Sequence, residues 1–254
     1  MPTHSGLRFH WLIFPQIVAG IGVVLLGIGV VTGCAGKGSG VSTTKKTMKI
    51  PAYNSIAPGA GAFFTLTQPW QESPEAGFQP GEVRLSWAPE KLVVVADLSD
   101  RDVKTLATAH NQKLWKLGDV FEVFVQVEGR EDYAEMHVAP NNQQMHLKLP
   151  RVGWRPSPDA EPLTFDQVLV SSVGFYSETI RTPTGWYARL EIPAEVLGLK
   201  EFRPGEALRI SFCRYDYNGD REPVLSTTAK HRKVAFHQPG DWTRILLENK
   251  LAGP

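Results

Sequence analysis

The chain has 254 residues, of which 42% are hydrophobic and 21% are charged, and its 27 basic side chains nearly balance 26 acidic ones. This composition excludes disordered, collagen-like and coiled-coil chains. The formal net charge of +1 provides no broad basic surface for nucleic acid or for an anionic membrane. With only Cys34 and Cys213, the chain has neither a disulfide framework nor a cysteine-rich zinc site.

The first segment of the chain reads as an export signal. Arg8 is the only charged side chain among the first 36 residues, and residues 11–33 carry no charge. A positive start, an apolar stretch and small residues before a cleavage point are the parts of such a signal. The alternative is an uncleaved membrane helix, since about 20 apolar residues can span a bilayer. Pro15 and five glycines between positions 20 and 33 disfavour that helix.

The end of the signal, Val31-Thr32-Gly33-Cys34, resembles the lipobox of bacterial lipoproteins. The resemblance implies that residues 1–33 are removed and that Cys34 becomes the lipidated first residue. Because Ala35, and not Asp, follows that cysteine, it also implies an exported protein held in the outer membrane by its lipid alone. Residues 34–50 are small and polar and are expected to form a flexible tether, and residues 51–254 one domain.

Short strand patterns fill the domain. Nine stretches alternate with period two or are rich in branched and aromatic residues: 83–87, 92–96, 120–127, 133–139, 143–149, 172–180, 186–192, 208–215 and 243–248. They predict an all-β fold, an antiparallel β-sandwich of jelly-roll or immunoglobulin-like type. Helix is expected only over Val103–Ala109 and in one turn, Ala194–Leu197, after Pro193.

Four blocks carry a family resemblance: Leu85–Asp100, Leu114–Phe124, Tyr133–Asn141, and a C-terminal block from Leu190 to Trp242. Their order and spacing resemble family 9 carbohydrate-binding modules, which are β-sandwiches among the DOMON-like domains. Three features depart from the family pattern: Gly118 is an extra residue, Asn142 replaces a turn glycine, and the proline-rich segment 151–166 looks like an insertion.

The resemblance implies a carbohydrate site. Trp115 and Phe236 fall where the family places two aromatic faces, which would cover the apolar face of a sugar ring. Glu122 falls where the family uses a glutamate to accept hydroxyl hydrogen bonds, and His137 and Arg214 are further polar candidates. Core packing is the alternative for Trp115 and Phe236, and a solvent-facing strand position is the alternative for Glu122.

Other residues could have separate roles. Trp154, on the proline-rich loop, is either an additional sugar platform or a buried side chain. Cys213 lies in an apolar run and is expected to be a buried small hydrophobe. Asp97, Asp100 and Asp102 could hold a structural calcium ion, although a strand-ending turn explains them more simply.

The leading interpretation is a non-catalytic protein that binds an oligosaccharide or polysaccharide at the cell envelope and supports polysaccharide use. No paired carboxylates and no nucleophile, zinc or phosphate-loop motif indicate an enzyme. Because some DOMON-like relatives bind haem b, an electron-transfer protein is an alternative, with Met136, His137, Met145 and His146 as candidate iron ligands. A purely structural envelope lipoprotein is the third possibility.

Overall fold

The structure is a computed structural model that describes residues 47–55, 57 and 59–253. The expected signal peptide, Cys34 and most of the expected tether lie outside these residues. Within the described part of the chain, no helix has both the length and the apolar character needed to cross a membrane.

Strands make up 43% of the structure and helix 7%. The described strands, in chain order, are β1 Met48–Ala52, β2 Ala62–Thr65, β3 Gly81–Ala88, β4 Lys91–Ser99, β5 Val120–Val127, β6 Tyr133–Val138, β7 Gln144–Leu149, β8 Tyr176–Thr182, β9 Gly185–Pro193, β10 Ala207–Asp216, β11 Val224–Thr227 and β12 Thr243–Leu251. The helical elements are α1 Phe165–Val168 and three short 3-10 turns, Leu114–Lys116, Val152–Trp154 and Ala194–Leu197.

The strands form one continuous sheet in the order β7-β6-β5-β10-β12-β1-β3-β4-β9-β8, with β11 beside β10 and β2 beside β3. All pairings are antiparallel among the described strands except those of β1, which runs parallel to β12 and β3. The two halves of the sheet share one core, in which Phe121 and Met136 belong to the same apolar cluster as Leu85 and Trp186. This β-sandwich confirms the predicted fold class.

Each of the nine predicted strands overlaps an observed one, with the largest displacement at β8, which begins four residues later than expected. The predicted helix over Val103–Ala109 is wrong. Its backbone bonds the loop before β5 instead of itself: the Leu106 N–H donates to the Leu117 carbonyl at 2.6 Å, and the Asp119 N–H donates to Lys104 at 2.9 Å. The predicted turn at Ala194–Leu197 forms as a 3-10 turn.

Three short strands carry no clear pattern and were not predicted. β1 contains Pro51, which interrupts its apolar pattern, and it pairs in parallel with β12. It begins inside the segment predicted to be the tether. β2 and β11 have four residues each. Such short strands are defined by their partners, because four residues cannot specify a strand by alternation alone.

A second apolar layer lies on the other face of β5, β6, β7 and β10. Along β5, Phe121, Val123 and Val125 enter the main core, whereas Phe124 belongs to a separate cluster with Leu147 and Trp242. Loops cover this second face, so strand residues on both sides of the sheet are buried. The candidate site lies beneath these loops.

Candidate functional site

A cavity of about 290 Å³ opens over the second face of β5 and β6. Its volume is close to the lower end of the range for small-molecule sites, about 300–1,000 Å³. Six aromatic or imidazole rings line it: Trp115, Phe124, Trp154, Tyr215, Phe236 and His237. Two carboxylates, Glu122 and Glu135, complete the polar part of the lining, and within the described residues no Lys or Arg lines the cavity.

Glu122 and Glu135 form the floor of the cavity, and the buried His137 contacts both of them; we call these three residues the floor triad. Strand register places it: Glu122 on β5 is opposite His137 on β6, and Glu135 lies two residues earlier on the same face of β6. His137 Nε2 is 2.5 Å from Glu135 Oε1, and His137 Nδ1 is 3.2 Å from Glu122 Oε1. All three side chains are at most 4% exposed.

The two carboxyl groups of the floor triad differ in proton affinity. Burial and the nearby charge of Glu135 raise the pKa of Glu122 well above its usual range. Burial also raises the pKa of Glu135, but His237 and His137 outweigh it and lower that pKa below the usual value. The floor therefore has one carboxyl group that resists ionisation and one that favours it.

His237 extends this polar network towards the mouth of the cavity. Its Nδ1 is 2.8 Å from the Tyr133 hydroxyl, and its Nε2 is 3.7 Å from Glu135 Oε2. The side chain is 36% exposed, so it can contact both a ligand and the buried triad. Nothing in the sequence analysis assigned it a role beyond its place in the C-terminal block.

Trp115 forms one wall of the cavity. It lies in the 3-10 turn Leu114–Lys116, is half-buried, and has its ring centroid 5.6 Å from His137 and 5.8 Å from Phe165. Gly118 fixes this loop: its φ is 135°, and a Cβ there would lie 2.5 Å from the Lys104 carbonyl oxygen. The extra residue seen in the sequence is thus the point where the loop crosses its neighbour closely.

Trp154 and Phe236 form further parts of the wall. Trp154 is half-buried, its ring is 5.9 Å from His237, and its backbone has a φ of 59°, which is a rare conformation for a bulky residue. Such strain is often found at ligand sites. Phe236 is 6% exposed and contacts Tyr215 at 5.8 Å, so it lines the cavity while also packing in the second apolar cluster.

Arg214 does not lie at the cavity. It is fully buried on the core face of β10, where its guanidinium donates to Asp100 at 2.9 Å and to the Ser99 carbonyl at 2.7 Å. Asp216 Oδ1 is 3.2 Å from the same guanidinium. Register explains the displacement, because Cys213 and not Arg214 is opposite Glu122 and shares its face. The candidate sugar ligand Arg214 is therefore an ion-pair centre.

The three aspartates proposed for calcium also separate. Asp97 is exposed on β4, whereas Asp100 is buried against Arg214. The Asp102 N–H donates to Asp100 Oδ1 at 2.8 Å, which is the local turn expected as the simpler explanation.

Cys213 is fully buried, and burial raises the pKa of its thiol well above the usual value.

The haem candidates form two side-by-side pairs. His137 is opposite Met145 on the cavity face, and Met136 is opposite His146 on the core face. Side chains of cross-strand neighbours project in parallel from the sheet. Two axial ligands of one haem iron approach from opposite sides, so neither pair has the arrangement that this alternative requires.

Sequence reasoning missed Glu135 and with it the pairing of two carboxyl groups. The signal was available, because alternation from His137 places Glu135 on the same face of the strand. Glu122 and Glu135 lie on the adjacent strands β5 and β6 and on the same face of the sheet. Glycoside hydrolysis instead uses carboxyl groups on opposite sides of the scissile bond.

Three solved structures with a similar architecture are described as carbohydrate-binding proteins. A proposed carbohydrate-binding protein from Bacteroides uniformis aligns with a TM-score of 0.60 and 14% identity, over 80% of this chain and 97% of its own. A family 9 carbohydrate-binding module from Caldicellulosiruptor kristjanssonii in complex with cellotriose aligns with a TM-score of 0.55 and 15% identity, over 80% and 94%. The chain therefore has a family 9-like fold.

A family 9 module from the same organism in complex with glucose gives a TM-score of 0.56 at 14% identity, over 81% of this chain and 97% of its own. No protein-family model matches the chain, and no curated protein matches it. The family 9-like fold agrees with the expected resemblance, and at this level of identity the agreement concerns the fold alone.

Proposed function

We propose that this protein is a non-catalytic carbohydrate-binding lipoprotein of the bacterial outer membrane, which holds an oligosaccharide or polysaccharide chain in the cavity over β5 and β6. One observation carries the proposal: aromatic walls surround a floor of buried carboxyl groups in a fold whose solved neighbours hold cellotriose and glucose. Flat rings suit the apolar faces of sugars, and carboxyl groups suit their hydroxyls.

The lining also indicates the charge of the ligand. Glu122 and Glu135 face the cavity, and no Lys or Arg among the described residues does. An anionic sugar would bring its carboxylate near these glutamates without a Lys or Arg side chain to pair with it. The proposal therefore favours neutral sugars such as gluco-oligosaccharides over uronic acids.

Binding without cleavage follows from the position of the two glutamates. Glu122 and Glu135 lie on neighbouring strands under the same face of any ligand, so they cannot act from opposite sides of a glycosidic bond. We expect no release of reducing sugar from xylan or cellulose by the purified protein. Hydrolysis that persists through rigorous purification and is lost in Glu122→Gln would contradict this part of the proposal.

The envelope location rests on the N-terminal sequence. The apolar stretch followed by Val-Thr-Gly-Cys motivates lipidation at Cys34. In a bacterial host, Cys34→Ser should accumulate as a larger precursor without attached fatty acid, and Cys213→Ser is the matched control. Unchanged processing of Cys34→Ser would remove the lipoprotein part of the proposal and leave the sugar site untouched.

The sugar site is tested by calorimetric titration of the purified full chain with cellotriose, glucose and a uronic acid. Trp115→Ala removes a cavity wall, and Tyr176→Ala truncates an aromatic side chain that is 55% exposed on β8, outside the cavity. The proposal expects binding of a neutral sugar that Trp115→Ala weakens and Tyr176→Ala does not. A glycan array would identify the ligand if these sugars do not bind.

A further inference from the structure

The geometry points to a divalent transition-metal site in the floor triad, with Glu122 and His137 as direct ligands and Glu135 as the residue that orients His137. One ligand atom from each of the three residues lies within 4.8 Å of the others. This inference does not rest on sugar binding, because it concerns only the chemistry of the three floor residues.

Distances between the candidate ligand atoms suit a small ion. His137 Nδ1 and Glu122 Oε1 are 3.2 Å apart. An ion bound to both at about 2.0–2.2 Å would subtend an angle of roughly 100° between them, as tetrahedral and octahedral coordination require. The two residues are direct cross-strand neighbours, so the sheet itself holds the pair at this spacing.

Two polar atoms of the triad are buried without a hydrogen-bond partner, and they are the second indication. His137 Nδ1 and Glu135 Oε2 have none, although their side chains are 1% and 4% exposed. Most buried polar atoms in folded proteins have a partner. An ion between Nδ1 and the Glu122 carboxyl group would give Nδ1 the partner that it lacks.

The hydrogen bond of the other imidazole nitrogen selects the tautomer that metal binding needs. Nε2 lies 2.5 Å from Glu135 Oε1, so a neutral His137 donates its proton to that carboxylate and leaves a lone pair on Nδ1. A metal-bound histidine held by a carboxylate through its second nitrogen is a common arrangement. The charge of the site also suits a cation, because the two carboxyl groups form ion pairs only with imidazole groups among the described residues.

The mixed nitrogen and oxygen ligands indicate which ion binds. One imidazole nitrogen with carboxylate oxygens suits Zn²⁺ and its neighbours in the first transition row. Calcium prefers six to eight oxygen ligands, which this site does not supply. Since Glu122 and Glu135 line the cavity, the remaining coordination positions face it and are open to water or to a ligand hydroxyl.

The test is calorimetric titration of the purified, untagged full chain with Zn²⁺ and, in parallel, with Ca²⁺, after EDTA treatment and removal of the chelator. We expect one Zn²⁺ per chain, no comparable binding of Ca²⁺, and a loss of at least about 10-fold in Zn²⁺ affinity for both His137→Gln and Glu122→Gln. Glu131→Gln, at a side chain that is 70% exposed, should bind as the wild type does.

If His137→Gln fails to fold, Glu122→Gln and the near-isosteric Glu135→Gln still decide the question, with circular dichroism as the folding check. Absence of Zn²⁺ binding, or an affinity unchanged in the folded floor variants, would overturn the inference and leave a proton on Glu122 as the partner of His137 Nδ1. Sugar titration in the presence of EDTA is scored separately, so failure of the metal site and failure of the sugar site are distinguishable.

Discussion

Two groups of buried carboxyl groups lie on opposite faces of the sheet, and they are neutralised differently. In one, the fully buried guanidinium of Arg214 contacts Asp100 and Asp216, and Asp119 lies beside these two carboxyl groups. In the other, Glu122 and Glu135 face a cavity, and their ion-pair partners among the described residues are imidazole groups. We call the first the arginine cluster and compare it with the floor triad.

The arginine cluster contains its own cation, since the guanidinium of Arg214 pairs with Asp100 and Asp216. Asp119 accepts the backbone N–H groups of Lys104 at 2.6 Å and Tyr217 at 2.7 Å, which joins two loops to the start of β5. Both groups contain buried atoms without a hydrogen-bond partner, but the floor triad lies beneath the aromatic walls of a cavity. A buried charge that the chain satisfies stabilises the fold, whereas one left open to a cavity is suited to a ligand.

Removing the cation of the arginine cluster is expected to have the largest effect on stability. Arg214→Met would leave Asp100 and Asp216 without their partner, and breaking a buried ion pair typically costs about 3–5 kcal/mol. Urea unfolding at pH 7 measures this loss, with the exposed Arg221→Met as the control. A loss of unfolding free energy no greater than that of the control would show that the cluster is not structural.

The next largest effect is expected on the pH dependence of stability, through Asp119 in the arginine cluster. Burial raises the pKa of Asp119 to about 7. Because this folded-state value exceeds the unfolded one, the folded state binds more protons, and the contribution of Asp119 to stability is lost as pH rises from about 4 to 7. This contribution amounts to roughly 2–4 kcal/mol.

Asp119→Asn cannot ionise, so its free energy of unfolding should decline less than that of the wild type across this window. Unfolding curves at pH 4.5 and pH 8 give the difference directly. The exposed Asp97→Asn serves as the control for a surface carboxylate. Equal declines in Asp119→Asn and the wild type would contradict the raised pKa.

Glu122→Gln separates stability from binding in the floor triad. The pKa of Glu122 is raised in the folded state, so the contribution of Glu122 to stability is lost as pH rises through that pKa. Glutamine does not ionise, so the stability of the variant does not fall in this way. At pH 8 we expect the variant to unfold at the same or a higher urea concentration, while sugar binding weakens by about 1–3 kcal/mol. The exposed Glu82→Gln should change neither.

A variant that unfolds early and binds sugar normally would reverse this interpretation of the floor triad. Glu122 would then stabilise the domain as Arg214 does, and the difference between the two groups of carboxyl groups would disappear. Melting temperatures and titrations on the same sample decide between the two outcomes.

The sequence predicted the long strands well because period-two alternation and branched residues define them locally. It also placed Trp115, Glu122, His137 and Phe236 at one site by resemblance, and the structure brings all four to the cavity or its floor. Arg214 could not be assigned in this way, because its role depends on Asp100, 114 residues away, and on a register visible only in three dimensions.

Two other features were not predicted from the sequence. The helix expected over Val103–Ala109 does not form, because this segment hydrogen-bonds to the loop before β5. Such tertiary contacts override local helix propensity. Glu135 was open to prediction by alternation from His137, but its pairing with that histidine required the observed side-chain geometry. Long-range partners, and not composition, therefore account for what the sequence could not show.

Calorimetric titration of wild type and Trp115→Ala with the sugar that binds best, together with thermal melts of both, tests the carbohydrate site most directly. Truncating an aromatic anchor at a binding site costs roughly 2 kcal/mol, which is about a 30-fold loss of affinity. The account predicts that loss with little change in melting temperature. Normal binding, or a melting temperature lowered by many degrees, would show that Trp115 is a core residue and contradict the proposed site.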